Sequence, residues 1–353
     1  MHRGLILLFS LFLISSLSCG FQTNKKGKKC TENIEFTILQ LNLWVECTKV
    51  EKAPQYLIEQ VAYLKPDIAT FCELYKGEQD DPIMPRLVNG LAEKGLCYYS
   101  ARIDGRAIVS KYPIIEKERI NDWMFKAVLD VQGERVVVYP SHSEYRYYAC
   151  YYPRGYNDGS VNWDELPAPV TDVREILFAN QQSGRVESTQ AFISDAKKEI
   201  MEGAFVFFAG DFNEPSYLDW QEDTKNIRDH RGCVVDWDVS KLLYNNGFID
   251  AYREKYPDAV KYPGITFPAD NRNVDVRLLT WAPKADERER IDFIYYYPQN
   301  NLFLERVKIA GPSGSIVRAE RIEENANDVF TSNSKSGWPS DHKGVMATFI
   351  LRE

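Results

Sequence analysis

Six apolar runs in this chain each meet an acid, an amide or an imidazole at one end. "ILQLNLW" carries Asn42, "IATFCEL" carries Glu73, and "VVVYPSHSEY" carries His142. "FVFFAGDFNEP" carries Asp211 and Asn213, "RERIDFIYY" carries Asp292, and "WPSDHKGVMATF" opens with Asp341 and His342. A buried strand cannot hold such groups in its middle without partners. Their natural place is a sheet end, where a rigid strand presents them to a ligand. Each also has a plain reading. "GDFNEPS" is rich in turn residues, Asn42 could bond a sheet edge, and Glu73 could be a solvated turn acid. Asp292 could pair with Arg290, and His142 and His342 could be satisfied interior histidines. Six polar strand ends in one ordered series favour a shared site.

The runs between these ends alternate with amphipathic segments. "NIEFTILQLNLW" alternates at Ile34, Phe36 and Ile38 and then becomes apolar throughout, as a strand entering a core does. "APQYLIEQVAYLK" places Leu57, Ile58, Val61, Ala62 and Leu64 on one helical face. "PDIATFCEL" predicts a second core strand, and "DPIMPRLVNGLAEKG" a short helix stopped by Gly95. "CYYSAR", "RAIVS" and "ERVVVYPS" read as strands. "RVESTQAFISDAKKEIMEG" reads as a helix leading into "AFVFFAG", and "RIDFIYYYP", "NLFLERVKIAG" and "GVMATFILR" as later strands. Strands and helices mix without a linker, which predicts one α/β domain over residues 32–353. Residues 145–189 resist this pattern. They are Tyr-rich and weakly periodic, and structureless stretches beyond about 15 residues are uncommon inside a domain. They predict a packed insertion near the site.

The N-terminus is of another kind. His2 and Arg3 precede "LILLFSLFLI" and the small residues "SSLSCG". A charged start, a short apolar core and a small-residue cleavage site describe an export signal over residues 1–18. The apolar stretch is short for a membrane span of about 20 residues. Cys19 makes it resemble a bacterial lipoprotein signal, in which that cysteine is acylated; Ser16 departs from the leucine usual there. "TNKKGKK" then reads as a polar tether within residues 19–31. The expected location is the cell envelope or surface of a bacterium, with the membrane reached only through this anchor. Cys30, Cys47, Cys72, Cys97, Cys150 and Cys233 form no CxxC pair, so a thiolate zinc site is not expected. Disulfides are permitted, without any pairing implied, and Cys72 reads as a buried small hydrophobe.

"LNLW", "CEL", "GDFNEP", "RIDFIYY" and "SDH" occur in an order and spacing that resembles the endonuclease/exonuclease/phosphatase family, the DNase I-like metal-dependent phosphoesterases. The resemblance runs from about Ile34 to Phe349, and "GFIDAYRE" followed by "TFPAD" extends it. It implies two mixed β-sheets packed face to face as a sandwich flanked by helices. It also implies Mg2+ or Mn2+, as one or two ions. Glu73 would be the metal carboxylate, with Asn42 as amide ligand or its support and Asp341 supplying a further oxygen. Asp211 would orient and deprotonate the attacking water, and Asn213 would donate to the phosphoryl oxygens. His342 would contact the phosphate or activate water, held by Asp292, with His142 as donor or leaving-group acid. His230, in "RDHRG", has no motif and reads as structural. The insertion departs from the family's pattern.

The chemistry asks for the same groups independently. Hydrolysis of an anionic phosphodiester needs charge neutralisation and an activated in-line water. Magnesium takes oxygen ligands and keeps waters, so one or two carboxylates and an amide suffice. The net charge of −8 argues only weakly against a polyanion binder; the expected export and the absence of an Arg/Lys stripe place a lipid head group or small phosphodiester ahead of nucleic acid. Tyr152 and Tyr156 could stack a base, a sugar or a choline-type cation, with Arg154 as phosphate anchor, or all three could simply pack. The alternatives are an extracellular nuclease and a surface-anchored protein that binds a ligand without catalysis.

Overall fold

The computed structural model describes residues 33–74 and 82–352. The signal, Cys19 and the tether lie outside them. Two mixed sheets dominate. The first has seven strands in the order Phe330–Thr331, Leu302–Ala310, Gly344–Leu351, Ile34–Asn42, Ile68–Cys72, Arg106–Ser110 and Tyr99–Ile103. The second has six, in the order Ile114–Asn121, Met124–Val131, Glu134–His142, Phe205–Asp211, Asp292–Tyr296 and Ile249–Asp250.

The sheets face each other because each presents one apolar side. Phe36 and Ile38 from the first meet Phe125, Val138 and Phe207 from the second in one buried cluster with Val345, Ala347 and Phe349. Phe207 lies at the middle, 5.7 Å from Phe36 and 4.8 Å from Phe349 between ring centroids, both edge to face. Each such buried ring contributes about 1.5–3 kcal/mol by leaving water.

Helices cover the two outer faces. Helix Ala53–Leu64 buries Leu57, Ile58 and Val61 on the seven-stranded sheet. It stops where Lys65 turns left-handed just before Pro66. Helix Ile83–Ala92 joins it there; its chain turns at Gly95, whose φ is 77°. Helix Arg185–Met201 lays Phe192, Ile193 and Ala196 on the six-stranded sheet beside helix Asp238–Asn245. The result has four layers, helix, sheet, sheet, helix, as the resemblance implied. Among the described residues no helix is long and apolar enough to cross a membrane.

Several elements were not foreseen, strand Met124–Val131 and helix Asp238–Asn245 among them, and three more are instructive. Strand Ile114–Asn121 is an edge strand whose middle residues are exposed and charged, so it shows no apolar alternation. Helix Val173–Gln181 lies inside the expected insertion and buries only Ile176, Ala179 and Asn180. Its one local signal is Asp172, which caps the helix by accepting from the Arg174 amide. The third is a single left-handed turn at Trp44–Cys47, with φ of 41°, 52°, 56° and 59°.

Residues 145–189 form a packed lobe. Tyr148, Cys150, Tyr151 and Tyr156 share a buried cluster with Trp220, Trp237, Phe267 and Ile291. Cys47, Cys72, Cys150 and Cys233 are free and buried, whereas Cys97 is disulfide-bonded.

Candidate active site

The topology gathers the polar strand ends at one end of the sandwich. Ile34–Asn42 and Ile68–Cys72 run parallel with Asn42 opposite Cys72, so Glu73 emerges beside Asn42. Glu134–His142 and Phe205–Asp211 also run parallel, with His142 opposite Asp211. Asp292 opens an antiparallel strand opposite Asp211. Asp341 and His342 immediately precede the antiparallel strand Gly344–Leu351.

Local sequence explains the approach. A Cβ on Gly210 would stand 2.4 Å from the Ser141 carbonyl oxygen, so only glycine lets these two strands pair here. Asp211 Oδ1 accepts from the Asn213 amide at 2.9 Å, closing a side-chain turn. Asn213 has φ 47°, a left-handed conformation that asparagine tolerates. Glu73 has φ 63°, and its carboxylate is gripped by the left-handed turn. The Val45 amide donates to Glu73 Oε2 at 2.6 Å, and the Glu46 amide donates to the Glu73 carbonyl at 2.7 Å.

Asn42 bridges the two sheets. Its Nδ2 donates to Glu73 Oε1 at 3.1 Å and to Asp211 Oδ2 at 2.9 Å, while its Oδ1 accepts from the Trp44 amide at 2.8 Å. The reverse amide orientation would set an oxygen against two carboxylates. In this arrangement Asn42 holds Glu73 and Asp211 in place. Asn213 Nδ2 donates to the Ser143 carbonyl at 3.1 Å and lies 3.3 Å from His142 Nε2. His342 Nδ1 lies 2.9 Å from Asp292 Oδ2. The Ile291 and Asp292 amides both donate to Thr266 Oγ1 at 3.1 Å. Arg290 does not pair with Asp292; it is bound to Asp219 and Asp250.

Nearly every group here is buried, and that sets the electrostatics. Burial pushes the Asp211 carboxyl up to about 6, opposed by His342 and reinforced by Asp292. Burial pushes Asp341 up to about 7, again opposed by His342 and reinforced by Glu73 and Asp292. For His342, burial disfavours the cation, but Asp292 and Asp211 outweigh it and raise the imidazole to about 10. Four acids thus crowd one small space with too little positive charge.

Glu73, His142 and Asp211 each offer a ligand atom within 4.8 Å of the others, and so do Asp211, Asp292 and His342. The surplus of buried carboxylate and this spacing fit a divalent cation. Asp341 lies outside both groups, although its carboxyl feels Glu73 and His342. Besides Glu73, the two groups include His142, Asp211, Asp292 and His342.

Of the substrate-contacting residues expected in the insertion, Arg154 and Tyr156 are a correction. Arg154 is fully buried, its guanidinium 2.7 Å from Glu289 Oε1 and bound to the carbonyls of Asp286 and Cys150. A guanidinium so engaged has nothing left to anchor a phosphate. Tyr156 is buried, with its hydroxyl donating to Glu165 and accepting from the Lys284 amide. Tyr152 packs on the same cluster with its hydroxyl 3.4 Å from Asp158 Oδ2. His230 is buried and stacked on Trp220 at 3.7 Å between centroids. Burial, with Arg154 and Arg228 nearby, holds it neutral.

A two-sheet sandwich with acids and histidines gathered at one end of both sheets is the DNase I-like fold. The chain matches the Endonuclease/Exonuclease/phosphatase family over residues 39–342. It belongs to that family of divalent-metal-dependent hydrolases. Uncharacterized protein F14F9.5 of Caenorhabditis elegans is 25% identical over 352 residues, spanning 97% of this chain and 98% of its own. The human Nocturnin catalytic domain with bound sulfate superposes with TM-score 0.52 and 13% identity, covering 90% of this chain and 96% of that one. Truncated C. elegans TDP2 does so with TM-score 0.50 and 16% identity, covering 90% and 98%. Both structures share the fold with this chain.

Proposed function

We propose that this protein hydrolyses phosphoesters, phosphodiesters foremost, with Mg2+ or Mn2+, as one ion or two, held by Glu73, Asp211 and the groups beside them. The observation that carries this reading is the pair of three-atom ligand groups that share Asp211. The bound cation would neutralise phosphoryl charge. Asp211 takes the proton of the attacking water. Asn213 Nδ2, 3.3 Å from His142 Nε2, donates to the phosphoryl oxygens, and His142 donates to the leaving oxygen where the ion leaves its Nε2 free. Asp292 fixes His342 through Nδ1, leaving Nε2, which lies 3.8 Å from Asp211 Oδ2, to hold a phosphate oxygen. Asp341 adds a further carboxyl whose charge the cation offsets.

The net charge of −8 favours a lipid head group or small phosphodiester over nucleic acid. The export reading is supported by residues 1–18 and by the disulfide at Cys97, a bond typical of oxidising compartments. In this reading Cys19 carries lipid, residues 19–31 tether the domain, and the protein sits at the cell envelope.

The test is a substrate panel with Mg2+ or Mn2+ and chelator controls: an aryl phosphodiester, a phosphomonoester, DNA and sphingomyelin. Turnover that a chelator stops is the expected result. No release from any of them would leave the non-catalytic binding protein as the better reading, and DNA alone cleaved would make it a nuclease. Mass spectrometry of the mature N-terminus tests the anchor; an unmodified Cys19 would remove it.

A further inference from the structure

Two buried arginines tie the insertion together and to the body of the protein. Arg185 Nη1 donates to the carbonyls of Glu144 and Arg146, and Nη2 to Tyr147, in the segment that follows His142. Arg154 acts on the other half of the site. Its Nε donates to the Asp286 carbonyl at 2.7 Å, and its Nη2 to Glu289 Oε1 at 2.7 Å. Tyr151, three residues earlier, donates its hydroxyl to Glu287 Oε2 at 2.6 Å.

The segment so gripped leads straight to the site. The Glu289 carbonyl accepts from the amides of Thr266 and Phe267, and the Glu289 amide donates to the Phe267 carbonyl. Thr266 Oγ1 receives the Ile291 and Asp292 amides, and its carbonyl receives the Lys343 amide at 2.7 Å. The Phe267 ring lies 4.9 Å from the His342 imidazole. Residues 266 and 267 therefore touch both Asp292 and His342, and Glu289 fixes where they stand.

We propose that Arg154 is a positioning residue for the Asp292–His342 pair, acting through Glu289 and the Thr266–Phe267 backbone, and that the insertion is a built-in brace for the site. This rests on the reading of that pair as part of the hydrolytic machinery. The guanidinium fork reaches the Asp286 carbonyl and the Glu289 carboxylate at once, which a lysine ammonium on a flexible stem cannot reproduce. A small displacement of a reacting group can lower a rate about 100-fold.

The test is Arg154→Lys, read in two ways. With bis(p-nitrophenyl) phosphate and Mg2+, kcat is expected to fall about 10- to 100-fold with KM within about twofold. In 15N-histidine-labelled protein in chelator, the His342 Nδ1–H resonance should move or broaden while that of His142 stays. The chain has four histidines, and His342→Gln assigns the signal. A folded variant with wild-type kcat, or with an unmoved His342 resonance, overturns the proposal. If wild-type protein turns over no substrate, the functional reading fails separately and the resonance alone decides the brace. If Arg154→Lys does not fold, Tyr151→Phe removes the single bond to Glu287 and is read identically. Its expected loss in kcat is smaller, about threefold, and again an unmoved resonance sinks the idea.

Discussion

Asp292 Oδ2 stands 2.9 Å from His342 Nδ1 across a sequence separation of 50 residues; Asp292 opens a strand of the six-stranded sheet, and His342 lies just before a strand of the seven-stranded one. Asn42 and Asp211 make a second bond of the same kind, 2.9 Å between Nδ2 and Oδ2. Polar side chains thus close one end of a sandwich whose interior is held by Phe36, Phe207 and Phe349.

Removing the orienting carboxylate should affect turnover more than binding. Asp292→Asn keeps the shape but leaves His342 free to adopt the wrong tautomer, and His342→Ala removes the ring. Both are expected to lower kcat about 10²- to 10⁴-fold, with circular dichroism unchanged. Steady-state kinetics on an aryl phosphodiester checks this; wild-type rates in either variant would discard the proposed mechanism.

Metal affinity should depend on Glu73 in two ways at once. Glu73→Gln loses a ligand charge and weakens the acceptor for the Val45 amide. Titration calorimetry with Mn2+ is expected to show affinity lower by at least about tenfold, and an unchanged binding isotherm would move the ion elsewhere.

Without metal, stability should fall as pH rises through the neutral range. Asp211, Asp341 and His342 all have folded pKa values above their unfolded ones, at about 6, 7 and 10. Each contributes stability that is complete below its unfolded pKa and is lost as pH passes its folded pKa. The windows run from about 3.8 to 6 and 7 for the acids, and from about 6.5 to 10 for His342. Lys343, pulled down to about 8 by burial, works the other way from about pH 8 to 10.4, so the clean window is pH 5–8. Urea melts in chelator across that window should show the decline, and Asp341→Asn should reduce its slope. Saturating Mn2+ should flatten it, since the cation replaces the protons.

Gly210→Ala should damage fold and site together. The added methyl would meet the Ser141 carbonyl oxygen at 2.4 Å, and neither backbone can retreat without breaking the pairing of His142 with Asp211. A loss of about 1–3 kcal/mol is expected in chemical denaturation, with activity lost beyond that.

The strands were legible in the sequence because their apolar runs are dense, and the site was legible because those runs end in Asn42, Glu73, His142, Asp211, Asp292 and His342. The edge strand Ile114–Asn121 was not, since one side of it faces water and its pairing depends on a neighbour. Arg154 was misjudged for a related reason. An arginine between tyrosines reads the same whether it meets a ligand or a carboxylate 135 residues away, and only the folded chain brings Glu289 to it. Left-handed backbone at Trp44–Cys47 leaves no trace in residues that ordinarily avoid it.

That turn has a consequence for how the protein would evolve in the laboratory. Trp, Val, Glu and Cys are poor hosts for positive φ, and each such residue costs on the order of 1–2 kcal/mol. Selection for thermostability alone should therefore find gains here, with Gly or Asn entering at positions 44–47 or the turn unwinding to an ordinary loop. The hardier proteins so obtained would no longer keep the amides of Trp44 and Val45 aimed at Asn42 and Glu73. Their sites would have to assemble around the ion on each encounter, and they would be sturdier and slower catalysts.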